Sequence, residues 1–294
     1  MRAELEQFQA AEKSDPGNLG VQFNIGLILL RTGQPKAALP HLQRAASDPS
    51  LASEARYLLG TAYFAAGDYS HAAEVLKDVN SSAQAEHVLY MLEESYRLTG
   101  KVPQAREAFR ALNRSYPDSA WTHYLLGAAY ENQAENEKAI TEYKAALEKN
   151  PGHPNANFAI GYIYWRDRNF DKATPWLQNE LALQPCHSLA AYYLGEIART
   201  SQDLRTSKHL FRRAIECDNG NVKAHIGLGI VLAALHEERL AIQEFHESIR
   251  LDPLNPTPHY RLAVLYKELG RKKEADAEYA RVKELQTASG QTVH

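Results

Sequence analysis

The sequence predicts an all-α protein built from stacked pairs of helices, and three observations support this prediction. A glycine that follows Leu or Ile recurs at a constant interval of 34 residues, as in Gly127, Gly161, Gly195 and Gly229. Apolar residues around each glycine are spaced i, i+3, i+4 and i+7, which places them on one face of a helix. Later in each unit a small residue, most often alanine, begins a second apolar helical face, and this residue recurs with the same period as the glycine. A fixed period of this length indicates a row of like units rather than a single globular core.

We number the positions of each repeat from 1 to 34, with Ala120 at position 1 of the fourth repeat. Glycine occupies position 8 in six repeats: Gly26, Gly60, Gly127, Gly161, Gly195 and Gly229. Because glycine inside a helix costs about 0.5–1 kcal/mol relative to alanine, its recurrence predicts that two helices approach closely there, with the small residue of position 20 opposite. Glu93 and Ala263 hold position 8 in the other two repeats. Since a charge cannot lie unpaired at a dry crossing, we expect the first helix of the third repeat to be displaced or rotated, with Glu93 reaching solvent or a cation.

The same skeleton resembles the tetratricopeptide repeat (TPR), a helix–turn–helix unit of 34 residues. In the fourth repeat the residues that carry the resemblance are Leu126, Tyr130, Ala139, Tyr143 and Pro151, at positions 7, 11, 20, 24 and 32. Equivalent residues recur over about nine tenths of the chain. The resemblance implies a right-handed α-solenoid of TPR repeats, in which the first helices line a concave inner wall and the second helices form the outer wall. A fold of this kind does not by itself assign an activity.

The chain divides into a partial unit, eight repeats and a tail. Residues 1–17 place Phe8, Ala11 and Pro16 at positions 24, 27 and 32, so they are expected to form the second helix of a partial repeat or an N-terminal cap. The eight repeats are expected within 18–286, at about 19–50, 53–85, 86–119, 120–150, 154–185, 188–219, 222–253 and 256–286. The polar residues 287–294 are expected to form a flexible tail.

Composition and charge narrow the function classes. A net charge of -3 and a pI near 6.5 predict no basic face for nucleic acid. The chain has no apolar run long enough for a transmembrane helix, so no membrane insertion is expected. Its first residues are too polar for a secretory signal peptide. Cys186 and Cys217 are expected to be free thiols in a reducing compartment, which makes a cytoplasmic location the expectation.

Aromatic residues at position 5 form a ladder that the resemblance places on the concave wall, since seven of the eight repeats have Phe or Tyr there. Trp121, Tyr162 and Trp165 lie at positions 2, 9 and 12 of the fourth and fifth repeats, and with the ladder they predict a contiguous aromatic floor that docks a peptide. The alternative is that these rings fill gaps between adjacent first helices. The candidate groove residues are Tyr90, Arg97, Trp121, Tyr124, Glu131, Phe158, Tyr162, Trp165, Arg166, Tyr192, Glu196 and Arg199.

The charged residues of the candidate groove are of both signs. Arg97 lies three residues after Glu94, and Arg199 three residues after Glu196, so each pair can form within its own helix. The alternative is a row of arginines that binds acidic groups of a peptide. Chaperone-binding members of the family hold a terminal carboxylate with a lysine at position 5. This chain has aromatic residues there, so the resemblance does not extend to that clamp.

No residue pattern indicates catalysis or a bound cofactor. His123, His225 and His259 share position 4, and without a cluster of carboxylates or cysteines they are expected to be core or semi-buried packed side chains. Motifs of zinc hydrolases, serine hydrolases and phosphate-binding loops are absent from the sequence. We therefore expect a non-enzymatic protein–protein interaction scaffold, without a cofactor, that binds a peptide or protein segment in its concave groove. The alternatives are a module that forms homo-oligomers through the ends of the solenoid, and an accessory or glycan-recognition surface of an enzyme complex.

Overall fold

The structure is a computed structural model that describes residues 2–79 and 85–288. Every regular element in these residues is an α-helix, which confirms the predicted all-α class. The helices belong to two compact units, Met1–Lys149 and Asn150–His294. The first unit contains α1 (Arg2–Ser14), α2 (Leu19–Arg31), α3 (Pro35–Ala45), α4 (Ala52–Ala65), α5 (Tyr69–Leu76), α6 (Ala85–Leu98), α7 (Val102–Ser115), α8 (Ala120–Asn132) and α9 (Asn136–Lys149). The second unit contains α10 (Ala156–Arg166), α11 (Phe170–Leu183), α12 (Ser188–Thr200), α13 (Leu204–Cys217), α14 (Val222–Ala234), α15 (Glu238–Leu251), α16 (Pro256–Glu268) and α17 (Lys272–Ala288).

Each repeat is a first helix joined by a short turn to a second helix, from the pair α2 and α3 to the pair α16 and α17. Within each unit, consecutive helices pack side by side, so that both units are rows of helix pairs. The helix α1 precedes the first pair and packs against α2. The last helix continues to Ala288, so residues 287 and 288 are helical where a tail was expected. The remainder of the expected tail, 289–294, and the segment 80–84 near the end of the second repeat lie outside the described residues.

The turn inside each repeat has a left-handed backbone at position 15. Glycine takes this conformation in four repeats, at Gly33, Gly67, Gly100 and Gly270. Ala134, Arg168, Gln202 and His236 take it in the other four, with φ angles of 58, 59, 63 and 58°. For a residue with a Cβ atom this conformation costs roughly 1–2 kcal/mol. The packing of the helix pair therefore imposes the turn geometry whichever residue occupies the position.

The predicted close approach of two helices occurs at position 8. A Cβ atom added to Gly127 would lie 2.7 Å from ring carbons of Tyr143, which is at position 24 of the same repeat. Position 20 also lies opposite, because the hydroxyl of Ser207 donates a hydrogen bond of 2.8 Å to the carbonyl oxygen of Gly195. Each glycine therefore leaves the space that a second-helix side chain fills.

The burial of position 24 follows the residue at position 8. The six repeats with a glycine bury that side chain to between 0 and 2% exposure; the residues are Leu42, Leu76, Tyr143, Leu177, Phe211 and Phe245. In the two repeats that lack the glycine, Phe109 is half-buried and Tyr279 is 36% exposed. A side chain at position 8 therefore competes with position 24 for the same volume.

The expectation that Glu93 reaches solvent or a cation is wrong. Its side chain is only 9% exposed within the continuous helix α6, and its Oε2 atom has no hydrogen-bond partner among the described residues. Burial raises the pKa of Glu93 to about 7; the neighbouring Glu94 adds to the shift and Arg97 opposes it. The helix is continuous through Glu93, and the carboxyl group can be buried with a proton bound, which removes the charge that burial disfavours.

The two cysteines are not free thiols, and that expectation is also wrong. Cys186 follows α11 and Cys217 ends α13, and their sulfur atoms form a disulfide with a Cα–Cα distance of 5.1 Å. The residues are 31 apart in sequence, three short of one repeat, so stacking places the end of one second helix beside the loop that follows the preceding one. The premise from which a reducing compartment was expected is thereby removed.

A second buried carboxylate, in the second unit, accepts hydrogen bonds from the start of that unit's first helix. Glu180, on α11, is fully buried and accepts hydrogen bonds from the backbone amides of Asn155 and Phe158, at 3.3 and 3.1 Å, and from Nε2 of Gln184 at 2.6 Å. Burial raises the pKa of Glu180, while these hydrogen bonds act in the opposite direction. The carboxylate therefore satisfies the first amides of α10, a role that an N-cap side chain performs in most helices.

Candidate functional site

In the first unit, the aromatic residues of the first helices stack on one another. The ring of Tyr90 lies 4.1 Å from that of Trp121, and the ring of His87 lies 4.9 Å from the same indole, measured between centroids. The hydroxyl of Tyr57 is 2.8 Å from Nδ1 of His87. Burial lowers the pKa of His87 to about 4, so this imidazole is neutral at physiological pH. The rings fill the space between neighbouring first helices, as one of the two sequence interpretations expected.

His87 is a member of this cluster that sequence reasoning missed. It occupies position 2 of the third repeat, the position that Trp121 occupies in the fourth. The signal was present, because planar side chains at the same position of consecutive repeats are brought together by stacking. A histidine alone at this position did not indicate an aromatic contact.

Both charged groove residues predicted for the first unit, Arg97 and Glu131, have partners within it. Arg97 binds Glu94 through two guanidinium nitrogens, which confirms the predicted pair. Glu131, expected in the groove, accepts a hydrogen bond of 2.9 Å from the hydroxyl of the buried Tyr143. Tyr124 lies with its ring 5.4 Å from that of Tyr143. Glu131 and Tyr124 therefore contact the helix crossing as well as the face of the first helices.

In the second unit, the aromatic cluster is arranged around Tyr193. Its ring lies 4.5 Å from Trp165, 5.2 Å from Tyr162 and 6.0 Å from Phe158, measured between centroids. Tyr193 is 8% exposed, whereas the three rings around it are only partly buried. The three surrounding residues were predicted for the groove. They all lie on α10 and pack around Tyr193 of α12. Their continuity with the cluster of the first unit stays a prediction.

Of the two adjacent tyrosines, sequence reasoning chose Tyr192, whose ring contacts both Tyr193 and the core. The ring of Tyr192 lies 5.8 Å from the fully buried Phe211, in the core formed by α13 and α14. Tyr193 is the residue that contacts Trp165. Position 5 alone could not distinguish them, because both tyrosines lie near the boundary between the core face and the first-helix face.

Arginine side chains border the aromatic cluster of the second unit. Arg199 donates two hydrogen bonds to Glu196, at 3.1 and 2.8 Å, which confirms the second predicted pair. The guanidinium of Arg166 lies 5.7 Å from the centroid of Tyr162. A cavity of about 300 Å³ lies beside these groups and is lined by Trp165 as well. The second unit therefore presents a recess where the first presents rings packed on one another.

The histidines at position 4 are packed, as predicted, with His225 and His259 buried and His123 half-buried, but each has a carboxylate partner that was missed. Nδ1 of His123, His225 and His259 lies 2.6–2.7 Å from a glutamate oxygen 19 residues later in the chain. Burial is the largest single effect and lowers the pKa of His225, but the hydrogen bonds to Glu244 and to the carbonyl of Asn219, together with nearby glutamate charges, outweigh it and raise the pKa. The signal was a glutamate at position 23 whenever position 4 is histidine. These pairs join the two helices of a repeat.

The described residues contain no group of three or more histidine, cysteine, aspartate or glutamate side chains that could hold a metal ion. Among the same residues, no helix combines the length and apolar character that crossing a bilayer requires.

Comparison with known families decides the assignment. A tetratricopeptide repeat model matches residues 2–52, 23–85, 94–154 and 124–185, which together exceed half of the chain. The chain belongs to the tetratricopeptide repeat family. A second tetratricopeptide repeat model matches residues 257–288 of this TPR protein.

Curated relatives of this TPR protein include subunits of protein complexes. It is 24% identical over 283 residues to the BBSome complex member BBS4 of Bos taurus, a match that covers 95% of this chain and 54% of that protein. It is 24% identical over 169 residues to subunit 3 of the anaphase-promoting complex of Schizosaccharomyces pombe, over 56% of this chain and 25% of that protein. The chain therefore spans between a quarter and about half of the length of these relatives.

A further match, 38% identical over 85 residues, is to a probable UDP-N-acetylglucosamine–peptide N-acetylglucosaminyltransferase, SPINDLY, of Arabidopsis thaliana. It covers 29% of this chain and 9% of that protein, a share too small to carry an activity. Among solved structures, the APC/C hetero-tetramer Cut9–Hcn1 aligns with a TM-score of 0.71 at 15% identity, over 97% of this TPR protein and 56% of that chain. This likeness supports the all-α solenoid fold.

Proposed function

We propose that this TPR protein is a non-enzymatic scaffold whose first-helix face binds a segment of a partner protein. The observation that carries the proposal is the aromatic cluster of the second unit, in which Phe158, Tyr162 and Trp165 surround a buried tyrosine but remain partly exposed. Partly exposed aromatic rings in a fixed arrangement are typical of surfaces that bind protein. That curated relatives are named as members of multi-subunit complexes supports the same proposal.

The proposal is tested by selecting short random peptides, displayed on phage, against the full chain. The selected peptides are then measured against Trp165→Ala and Trp176→Ala. Trp176 is a matched control, because it lies on the second helix α11 and makes the same change in size and chemistry away from the first-helix face. We expect Trp165→Ala to weaken binding at least about tenfold, since aromatic anchors contribute 2 kcal/mol or more at such surfaces. Trp176→Ala should bind as the unchanged protein does.

Equal binding by the two variants, with circular dichroism showing that both are folded, would refute recognition through the first-helix face. Trp121→Ala adds a comparison within the first unit. Because Trp121 stacks closely on Tyr90, its replacement is expected to affect stability as well as any binding. Its thermal unfolding is therefore measured before its affinity is interpreted.

A second candidate, self-association, is favoured by the exposure of Tyr279. This ring is 36% exposed, whereas six of the seven other residues at position 24 are buried. It borders a recess of about 340 Å³ between α16 and α17, which a helix of a second copy would cover. Light scattering over a concentration series tests this candidate. A mass that stays monomeric, and is the same for Tyr279→Glu, would exclude it.

A further inference from the structure

A recess in the second unit differs from the rest of the first-helix face in both shape and charge. It has a volume of about 300 Å³ and lies where α10 and α12 end. Two aromatic residues, Trp165 and Phe170, line it together with Arg166, Arg168, Arg199 and Glu196. A recess of this size is at the lower limit for small-molecule sites and accommodates one or two side chains of a bound protein.

The charges of the recess leave an excess of positive charge. Glu196 is held by Arg199 through two hydrogen bonds, so that its carboxylate is offset within the pair. Arg166 and Arg168 add two guanidinium groups on exposed residues. Three arginines and one glutamate line the recess, so its lining carries a formal excess of positive charge.

The turn of the fifth repeat places one of these arginines. Arg168 occupies position 15 with a φ of 59°, the left-handed conformation that glycine takes in four other repeats. The repeat retains an arginine at a position where the backbone favours glycine by roughly 1 kcal/mol. The result is a guanidinium at the mouth of the recess, directly after the end of α10.

We propose that this recess binds the side-chain carboxylate of an aspartate or glutamate in the partner segment, with an adjacent apolar residue of that segment packed on Trp165 and Phe170. Guanidinium groups bind carboxylates through paired hydrogen bonds, and the aromatic walls exclude water from the contact. The proposal rests on the proposed function and adds the chemical class of the ligand. It assigns the positive recess to a side chain of the partner rather than to a chain terminus or a phosphate.

The test uses peptides displayed with their carboxyl ends fused to the phage coat, so that only side chains supply carboxylates. Selection against the full chain should enrich aspartate or glutamate next to an apolar or aromatic residue. The selected peptides should bind Arg166→Gln/Arg168→Gln at least about tenfold more weakly, and binding to the unchanged protein should weaken as salt is raised. Arg212→Gln is the matched control, because Arg212 is an exposed arginine of α13 that does not line the recess.

Synthetic copies of a selected peptide separate the sources of negative charge. Replacing its acidic residue by glutamine should cost at least about tenfold in affinity, as the arginine changes do. A phosphoserine copy that binds more tightly than the carboxylate peptide would overturn the assignment to a carboxylate. Peptides without acidic residues that bind equally well, or an unchanged affinity for Arg166→Gln/Arg168→Gln, would overturn the proposal.

The outcomes also distinguish this inference from the proposed function. Binding that depends on Trp165 but not on the arginines refutes the carboxylate site and leaves the scaffold proposal in place. A selection that yields no peptide dependent on Trp165 refutes both. Circular dichroism of each variant establishes that a loss of binding is not a loss of fold.

Discussion

Among the residues that the structure describes, two glutamates are buried, one in each unit, and their surroundings are opposite. Glu180 in the second unit is fully buried and accepts three hydrogen bonds, two of them from backbone amides that begin α10. Glu93 in the first unit is 9% exposed, and its Oε2 atom has no hydrogen-bond partner among the described residues. A buried glutamate therefore satisfies backbone amides in the second unit, whereas in the first unit it is buried with one oxygen unsatisfied.

The difference lies in what surrounds each carboxyl group. Glu180 supplies acceptors to amides that would otherwise be buried without partners, so its desolvation is offset by hydrogen bonds. Glu93 takes the position at which six other repeats have glycine, and it displaces the position-24 side chain, Phe109, from full burial. A buried carboxylate is tolerated as a charge only where hydrogen-bond donors or an opposite charge compensate for its lost hydration.

The largest expected effect is that of removing the satisfied carboxylate. Glu180→Ala should lower the free energy of unfolding by about 3 kcal/mol, because it leaves two partly buried backbone amides without their acceptor at roughly 1–3 kcal/mol each. Glu93→Ala is the matched change and should lower it by less than about 1 kcal/mol at pH 8. Urea denaturation followed by circular dichroism measures both values. Equal losses for the two variants would contradict the comparison.

The next effect tests why glycine occupies position 8. Gly127→Leu should lower the free energy of unfolding by about 3 kcal/mol, since the added side chain would overlap the ring of Tyr143. Ala129→Leu, at an exposed position of the same helix, controls for the change in residue type. The same urea measurement applies. A Gly127→Leu protein as stable as the control would show that the crossing has room for a side chain.

Glu93 should make stability depend on pH. Its pKa is raised to about 7 in the folded protein, so between pH 4.5 and 7 the folded state binds more protons than the unfolded state. The free energy of unfolding should therefore fall across this range by at most roughly 3.5 kcal/mol as pH rises, since each pKa unit is worth about 1.4 kcal/mol. Glu93→Gln should lose this component of the pH dependence. A curve unchanged by the substitution would show that Glu93 titrates normally.

The pair of His225 and Glu244 provides a partnered carboxylate for contrast. Because the pKa of His225 is raised, its contribution to stability is complete below about pH 6.5 and is lost as pH rises through the folded-state pKa. Glu244→Gln should lower that pKa and reduce stability at pH 6 by about 1 kcal/mol. An NMR titration of the imidazole measures the pKa directly. Unchanged titration would mean that the glutamate does not hold the proton on the ring.

The smallest effect concerns the turns, where residues with a Cβ atom adopt a left-handed backbone conformation that favours glycine. Ala134→Gly should raise the free energy of unfolding by about 0.5–1 kcal/mol, because Ala134 has a φ of 58°. Ala129→Gly, within helix α8, should lower it by about 1 kcal/mol. The two changes add the same residue and are expected to differ in sign. A loss of stability in both would show that the turn does not strain the alanine.

Much of the fold was predictable because the same residue pattern recurs in several repeats. The period, the helix pairs and the close approach at position 8 all follow from residues that recur at fixed intervals. The disulfide was predictable in principle, since Cys186 and Cys217 are separated by nearly one period and stacking brings such positions together. Two cysteines alone, however, gave no reason to consider that spacing. The histidine–glutamate pairs were likewise visible as positions 4 and 23.

The candidate site was less predictable, because it depends on single residues and not on the repeat. Position 5 indicated an aromatic ladder, yet it could not decide whether Tyr192 or its neighbour Tyr193 contacts Trp165. Nor could it indicate that rings of the first unit stack on His87, whereas those of the second unit border a recess. Such differences depend on the rotation of each helix by a fraction of a turn.

The sequence by itself determined the helix pairs and the order in which they stack, because apolar period and helix-breaking turns act over a few residues at a time. Only the tertiary structure decided which carboxylates are satisfied, which aromatic rings are covered and where the arginines meet. These properties depend on the volumes and hydrogen-bond donors that neighbouring repeats present to one another. A pattern within one repeat does not specify what the neighbouring repeats present.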